Sequence, residues 1–578
     1  MLQRRIAVAA TLAVFELTAA KAHGQAIERN VAPGLQAPPA AVLVGPDLVL
    51  NKDETPLGPR LEQIVLIGLG GSPPTDAAGD VLVDAVGPPK PDDLAADLTA
   101  FIGQPMSRRL LSDVESAIIR HYRRAGLPFV AVSLPPQDVT QGSVKVRVVL
   151  FKLGQLNVSG AKNATEVLGA VRSRAGEPID APRLEEDLSW LNHSPFRQAT
   201  ASFAKGASTG ETDLTIAVQE QKPWQVFFAW ANSGSATTGL DRYIVGGQVG
   251  DLIRTGSLVS FEATASDDVW RHGDDPFSDS THLRYLSHSL VAAAPTGPRQ
   301  DLTMVANVVQ TRSHVKDFDI LANTEELSLV YRAALSNFSP MAGDLSVGLE
   351  AYGQQRETLF GDIPVVKTHA NVFQALAGWS HGWTDEGGSH HNLSTILRYA
   401  PGGQGARNSD AAMASITNGR VTHAEFAYLQ ATYSLDQPLP AGLRLSLAMT
   451  GQLSNRPLPA TEQIAIGGGP SVRAYAYDDQ SFDQGLILRN QLRAPGRSLI
   501  GPVIGKADQI SPYIFVDAGY GWNRDHTPGG RAIGAGVGAD YQLGSHLSAG
   551  LTAAWALKSA SYTREGHFKV LAHVTVSM

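Results

Sequence analysis

From Trp224 to the last residue, apolar and polar positions alternate along the chain. Trp224, Val226, Phe228 and Trp230 interleave with Gln225, Phe227 and Ala229. Val259, Phe261, Ala263 and Ala265 interleave with Ser260, Glu262, Thr264 and Ser266. The same period returns at Leu443, Leu445, Leu447 and Met449, and at Leu547, Ala549, Leu551, Ala553 and Trp555. It runs on from Phe568 through Val570, Ala572, Val574 and Val576 to Met578. A period of two places successive side chains on opposite faces of a strand. Some sixteen such segments begin near residues 224, 242, 257, 281, 301, 325, 345, 368, 391, 426, 442, 484, 512, 531, 546 and 568. Short connections such as Arg254-Thr255-Gly256 alternate with long polar ones such as Asp267–Ser280 and Pro401–Thr422. Strands of about 10 residues with one apolar and one polar face, joined in this way, predict a membrane β-barrel. Lipid offers the backbone no hydrogen bonds, and a closed barrel leaves no edge unpaired. A soluble β-sandwich also alternates. Against it stand the length of the alternating stretch, some 355 residues, its many Gly, Ala and Ser, and an end inside a strand.

Upstream the pattern changes. Glu62–Leu69 reads as a strand and Asp92–Ile102 as a short amphipathic helix ended by Gly103 and Pro105. Ser107 can cap a second helix with Leu110, Leu111, Val114, Ile118 and Tyr122 at helical spacing, ended at Gly126. Strands at Phe129–Val132 and Val144–Leu150 complete a β-α-α-β-β order. The order then recurs: a strand with Leu156 and Val158, a helix Ala164–Arg174, and a helix from Asp180 with Leu184, Leu188 and Leu191 on one face. Strands near Ala199–Phe203 and Asp213–Val218 end it. Residues 27–60, rich in Pro, Ala and Gly, read as a flexible lead-in. At the N-terminus, Arg4 and Arg5, an apolar stretch Ile6–Ala20 and small residues around Ala22 and Ala26 follow the order of an export signal. The expected organisation is a signal at 1–26, a lead-in at 27–60, modules at 61–152 and 153–221, and a barrel at 222–578.

Composition narrows the chemistry. Charged residues make up only 18% of the 578, against about 25% in ordinary soluble domains. A net charge of −8 lacks the basic footprint that nucleic acid requires. With no cysteine there are no disulfides, thiolate metal sites or cysteine nucleophiles. Gly68-Leu69-Gly70-Gly71 lacks the Lys-Ser/Thr of a P-loop. Asn192 and His193 fall in a helix-to-strand turn, and His390-His391 read as surface residues at a strand start. No ordered Ser/His/Asp set falls on one face, so neither an enzyme nor a cofactor or metal is expected.

Gly467-Gly468-Gly469-Pro470-Ser471-Val472-Arg473-Ala474-Tyr475 lies in a long loop, and Phe515-Val516-Asp517-Ala518-Gly519 lies on a later strand. The pair resembles the V-R-G-[FY] loop and F-x-D-x-G strand signatures of outer-membrane protein-translocating barrels. The repeated modules resemble polypeptide-transport-associated (POTRA) domains, and Leu134-Pro135-Pro136-Gln137-Asp138 matches an "LPxQD" stretch closing the first. Ala175-Gly176-Glu177-Pro178 and Leu191-Asn192 fit the second module. Two such modules before sixteen strands look like the TpsB transporters of two-partner secretion, which export haemolysins and filamentous adhesins. The resemblance covers residues 61–578. Ala474 departs from it, because the usual glycine permits a left-handed backbone that alanine resists. Met578 stands where many such barrels end in Phe. In the family a helix before the first module can plug the pore, and Ala40–Leu50 is a poor match for one.

On the strand from Tyr513, the apolar set Ile514, Val516, Ala518 and Tyr520 should face lipid, which turns Phe515, Asp517 and Gly519 inward. A carboxylate on the inner wall needs a cation or water. If the loop enters the lumen, as the resemblance implies, Arg473 can pair with Asp517 in bidentate fashion. Gly519 then leaves room for the loop, and Tyr475 can stack on Phe515. The implied lock is thus Val472, Arg473 and Tyr475 against Phe515, Asp517 and Gly519. The resemblance implies an outer-membrane site in a Gram-negative-type bacterium, with the modules in the periplasm. It also implies one large secreted partner, contact with outer-membrane lipid and assembly by the barrel-assembly machinery. An assembly factor shares the motifs but usually carries more modules. A diffusion porin has no need of either.

Overall fold

The computed structural model describes residues 51–68, 80–83, 89–271, 283–385, 387–477 and 479–578. The expected signal at 1–26 and the Ala40–Leu50 stretch lie outside the described residues. The chain divides into two compact units, one within Leu35–Lys222 and one built on Pro223–Met578.

In the first unit, β1 (Pro56–Arg60) pairs with β4 (Pro105–Ser107). The Asp53 carbonyl also accepts the Arg109 N–H at 2.9 Å. Residues 51–60 are therefore attached to the module rather than free lead-in, because strand pairing overrides their Pro/Gly composition. A sheet of order β3-β2-β6-β5 is made by β2 (Gln63–Ile67), β3 (Val81–Val83), β5 (Val130–Ser133) and β6 (Ser143–Leu150). Helix Pro91–Thr99 begins with the proline that a first turn tolerates. Helix Arg108–Arg124 begins at Ser107, whose Oγ accepts the Leu110 N–H at 3.1 Å. Leu94, Leu98, Val114, Ile118 and Tyr122 pack on Ile64, Leu66, Val144 and Val146. In the Pro-Pro-Gln-Asp stretch, the Gln137 amide bonds both the N–H and the C=O of Lys145, tying the segment to β6.

A second sheet of order β7-β9-β8 follows, from β7 (Lys152–Ser159), β8 (Arg197–Lys205) and β9 (Glu211–Glu220). Helix Ala164–Ala170 stops four residues short of the expected Arg174, since Val171 is extended. Arg172 is there engaged by Asp187, at 2.8 Å, on helix Ala181–Leu191. The Asn192 amide bonds both backbone groups of Ala199, a structural role.

The second unit is a closed antiparallel barrel of sixteen strands. They are β10 (Trp224–Ala231), β11 (Arg242–Gly250), β12 (Leu258–Ala265), β13 (Tyr285–Gly297), β14 (Gln300–Val315), β15 (Phe318–Ala334), β16 (Asp344–Phe360) and β17 (Ile363–Thr384). Then come β18 (His390–Ala400), β19 (Phe426–Pro438), β20 (Arg444–Ser454), β23 (Gln484–Arg493), β24 (Asp508–Trp522), β25 (Gly530–Leu543), β26 (Leu547–Ala556) and β27 (Phe568–Ser577). The short β21 (Ile464–Ile466) and β22 (Gln480–Phe482) form a separate hairpin inside the β20–β23 loop. The last strand closes on the first, from Phe227 opposite Ser577 to Ala231 opposite His573. Apolar side chains such as Phe228, Leu327, Leu349 and Leu551 point outward and are exposed, as a lipid-facing band requires. The inward set carries many polar residues, including Gln248, Ser260, Ser289, Gln374 and Gln452, beside apolar ones where loops pack on the wall. Strands β14–β17 are longer than the expected ten residues, reaching 22 in β17, and two of their connections shrink to tight turns at Lys316 and Asp362. No described helix is long and apolar enough to cross a membrane; the strands do so.

Candidate functional site

The β20–β23 loop folds into the barrel lumen. Gly467 and Gly468, at φ 145° and 82°, turn the chain beyond β21 into a compact tip. There the Gly468 N–H meets the Tyr475 carbonyl at 3.0 Å, and the Tyr475 N–H meets the Val472 carbonyl at 3.1 Å. Val472, Ala474 and Tyr475 are fully buried at this tip. They join Ile464, Ile466 and Phe482 in a cluster against wall residues Ile487, Phe515, Ala532 and Ala554.

The wall is shaped for this contact. Along β24 the exposure alternates: Ile514 56%, Phe515 4%, Val516 50%, Asp517 0%. Asp517 and Phe515 therefore face inward. A Cβ on Gly519 would come within 2.6 Å of the Ile466 side chain, and one on Gly534 within 2.8 Å of the Ala474 Cβ. Ala474 does not adopt a positive φ. Position 474 thus does without the left-handed backbone that glycine favours, and the bare backbone of Gly534 receives the extra methyl.

Arg473 reaches Asp517 in a bidentate pair, Nε–Oδ2 at 2.7 Å and Nη2–Oδ1 at 2.8 Å. Its backbone N–H adds a bond to Oδ2 at 3.2 Å, and Nη1 donates to Gln491 Oε1 at 2.8 Å. The guanidinium lies over the Phe515 ring at 3.6 Å, a cation–π contact in a desolvated site. Both charges are buried, so a state in which either stands without any partner costs about 3–5 kcal/mol. Tyr475 does not stack on Phe515; Arg473 takes that face. The Tyr475 hydroxyl instead lies 2.6 Å from the Lys558 carbonyl and 3.0 Å from that of Ile533, and it accepts the Ile533 N–H. A phenol with buried backbone partners gains more from them than from a ring contact.

Sequence reasoning did not single out several further contacts. Asp479 takes the N–H groups of Tyr562 and Thr563, joining the tip to the β26–β27 loop. Asp483, fully buried, takes Arg420 Nη1 at 3.0 Å from the β19–β18 side, the Leu458 N–H at 2.9 Å and the Arg524 N–H at 3.0 Å. Glu462 takes the Gln374 amide at 3.1 Å and the Tyr428 hydroxyl. Gln491 carried one usable signal, its inward phase on β23 beside Arg489 and Arg493. The others pair across loops and leave no local pattern. Among the described residues no group of His, Asp and Glu is arranged to hold a metal ion. The His391 ring stacks on Trp383 at 4.8 Å and meets the Tyr433 hydroxyl at 2.8 Å.

Comparisons with known proteins agree with this architecture. Residues 210–541 match the family model "Haemolysin secretion/activation protein ShlB/FhaC/HecB", and residues 81–150 match "POTRA domain, ShlB-type". The Heme/hemopexin transporter protein HuxB of Haemophilus influenzae is 21% identical over 440 residues, spanning 74% of this chain and 73% of that one. Among solved structures, CdiB from Escherichia coli superposes with a TM-score of 0.66 at 17% identity, covering 93% of this chain and 94% of that one. CdiB from Acinetobacter baumannii gives 0.58 at 16%, covering 92% of each. The two CdiB structures share the fold; the family model spans more than half of the chain. The chain belongs to the ShlB/FhaC/HecB haemolysin secretion/activation family, as a TpsB-type outer-membrane secretion transporter and not an enzyme.

Proposed function

We propose that this transporter captures one large partner protein in the periplasm and passes it unfolded through the barrel lumen to the outside. The observation that carries the reading is a buried Arg473–Asp517 pair holding an inward loop inside a polar, sixteen-stranded lumen. A plain diffusion pore gains nothing from such a tether. On this reading Val472, Arg473, Tyr475, Phe515, Asp517 and Gly519 keep the barrel competent for transport, and no bond is made or broken. The signal at 1–26, the modules at 61–152 and 153–221 and the barrel at 222–578 are parts of the same proposal, with the modules on the periplasmic side and the barrel inserted by the barrel-assembly machinery. The module sheets end in edge strands, β3 and β5 in one and β7 and β8 in the other. Such edges accept an extended segment by β-augmentation, where main-chain hydrogen bonds supply affinity. HuxB is named for heme/hemopexin transport, but the partner's class, adhesin, haemolysin or other, is left to experiment.

The test compares culture medium and outer-membrane fraction by mass spectrometry with and without this chain. Loss of one large protein from the medium, with other barrels unchanged, is the expected result. Depletion of many barrels would replace the proposal with an assembly factor, and no change in either fraction would return it to a porin. Deleting residues 61–220 should abolish export while the barrel still assembles; undiminished export would remove the capture step.

A further inference from the structure

Asp517 has a second arginine beside it. In the β23–β24 register Arg489 is the residue directly opposite Asp517. Directly opposed residues of an antiparallel pair hold their Cβ atoms about 4.5–5.5 Å apart. Yet both Asp517 oxygens are taken by Arg473. Among the described residues Arg489 has no ion pair. Its Nη1 reaches only the Pro470 carbonyl of the loop tip, at 3.4 Å, and its Nε is buried without an acceptor. Other inward arginines are differently placed: Arg493 on the same strand pairs with Asp540 at 2.5 Å, and Arg398 on β18 with Glu350 at 2.8 Å. Arg489 also borders a cavity of about 380 Å³ lined by His390, Asn392, Ser434, Asp436 and Gln491, so its guanidinium has room to turn.

We infer that Arg489 is the exchange partner of Asp517: as the loop withdraws Arg473, Arg489 takes over the carboxylate. The physical reason is the imbalance between making and breaking a buried pair. Releasing Arg473 alone strands a buried anion, which is strongly uphill. Passing that anion from a loop cation to a wall cation leaves only the difference between two pairs. Two like charges beside one carboxylate also weaken the existing pair before it parts. The wall thereby holds a substitute for the loop, and the lock can open without leaving an uncompensated charge. Arg489 is a positioning residue, acting through Asp517.

The inference rests on the proposed role of the lock, but its readout does not require transport. Thermal unfolding of the full-length protein in detergent micelles is measured for wild type, Arg473→Ala, Arg489→Gln and the double variant. Each single variant should lose little, because the other arginine serves Asp517. The double variant should lose about 5 °C beyond the sum of the singles, as expected for a stranded buried charge in a barrel of this size. Adding Asp517→Asn should abolish that excess. Additive losses overturn the exchange. Should the double variant fail to assemble, Arg473→Ala with Arg489→Lys keeps a cation opposite Asp517 and must assemble; its failure also overturns the inference. Loss of the transport reading would show separately, as an unchanged medium when the chain is absent, with the coupling intact.

Discussion

Two long loops enter the same lumen and are fixed there by different forces. The β18–β19 loop carries helix Asp410–Ile416, capped by Ser409, and buries Met413, Ile416, Val421 and Ala424 on Tyr352, Ala370 and Val372. The β20–β23 loop also buries apolar groups, but its tip is centred on one charge pair, Arg473–Asp517. Apolar contact is non-directional and roughly proportional to area, so it yields by degrees. A bidentate pair has one geometry and is either made or broken. The first loop therefore packs as part of the wall, whereas the second is held at its tip by one directional bond. Asp483 joins them, since it takes Arg420 from the first loop and sits at the root of the second.

The contrast can be broken most sharply at Arg473. Arg473→Ala should leave a heat-resistant barrel and lower secretion by about tenfold or more, because the loop tip loses its directional bond to the wall. Normal secretion at equal barrel abundance would mean that the tether has no part in transport. Met413→Ala should do the opposite. It should cost about 2–4 kcal/mol of barrel stability, as a cavity in a packed cluster does, while secretion per folded barrel stays unchanged. A secretion defect larger than the loss of folded barrel would show that the first loop also moves. Asp483→Asn weakens the joint between the loops; susceptibility of the 401–425 segment to protease should rise while the Arg473 contact persists. Gly534→Ala places a methyl 2.8 Å from the Ala474 Cβ. A modest loss of about 1–3 kcal/mol is expected, with recovery when Ala474→Gly is added. Absence of that recovery would mean that the two positions do not meet.

The barrel was legible because lipid and lumen impose opposite demands on alternate residues, and the sequence shows them. Strand starts near 224, 242, 426, 484 and 568 coincide with Trp224, Arg242, Phe426, Gln484 and Phe568. Three were placed late by four residues or more: the strand expected near 325 begins at Phe318, that near 368 at Ile363 and that near 512 at Asp508. Alternation does not mark where a strand leaves the bilayer, so ladders that continue beyond it are cut short by such a reading. β1 was hidden by Pro56 and Gly58, which speak against a strand until an edge is available to pair with. Within the site, the Arg473–Asp517 contact was legible only through the resemblance of two short motifs. The Tyr475 hydroxyl bonds and the place of Arg489 opposite Asp517 depend on register between strands and loops, which no local pattern records.

The glycines of the wall have one more consequence. At positions 519, 521, 534 and 536 the inward surface of β24 and β25 carries no side chain, while the ladder already satisfies the backbone groups there. Ile466, Phe482 and Ala474 of the loop, and the Phe515 ring, lie against these bare positions. A surface without rotamers or free polar groups offers little adhesion to whatever lies on it. On the proposed function, a loop that departs uncovers these four bare positions, and a chain sliding past finds no side chain to catch on there.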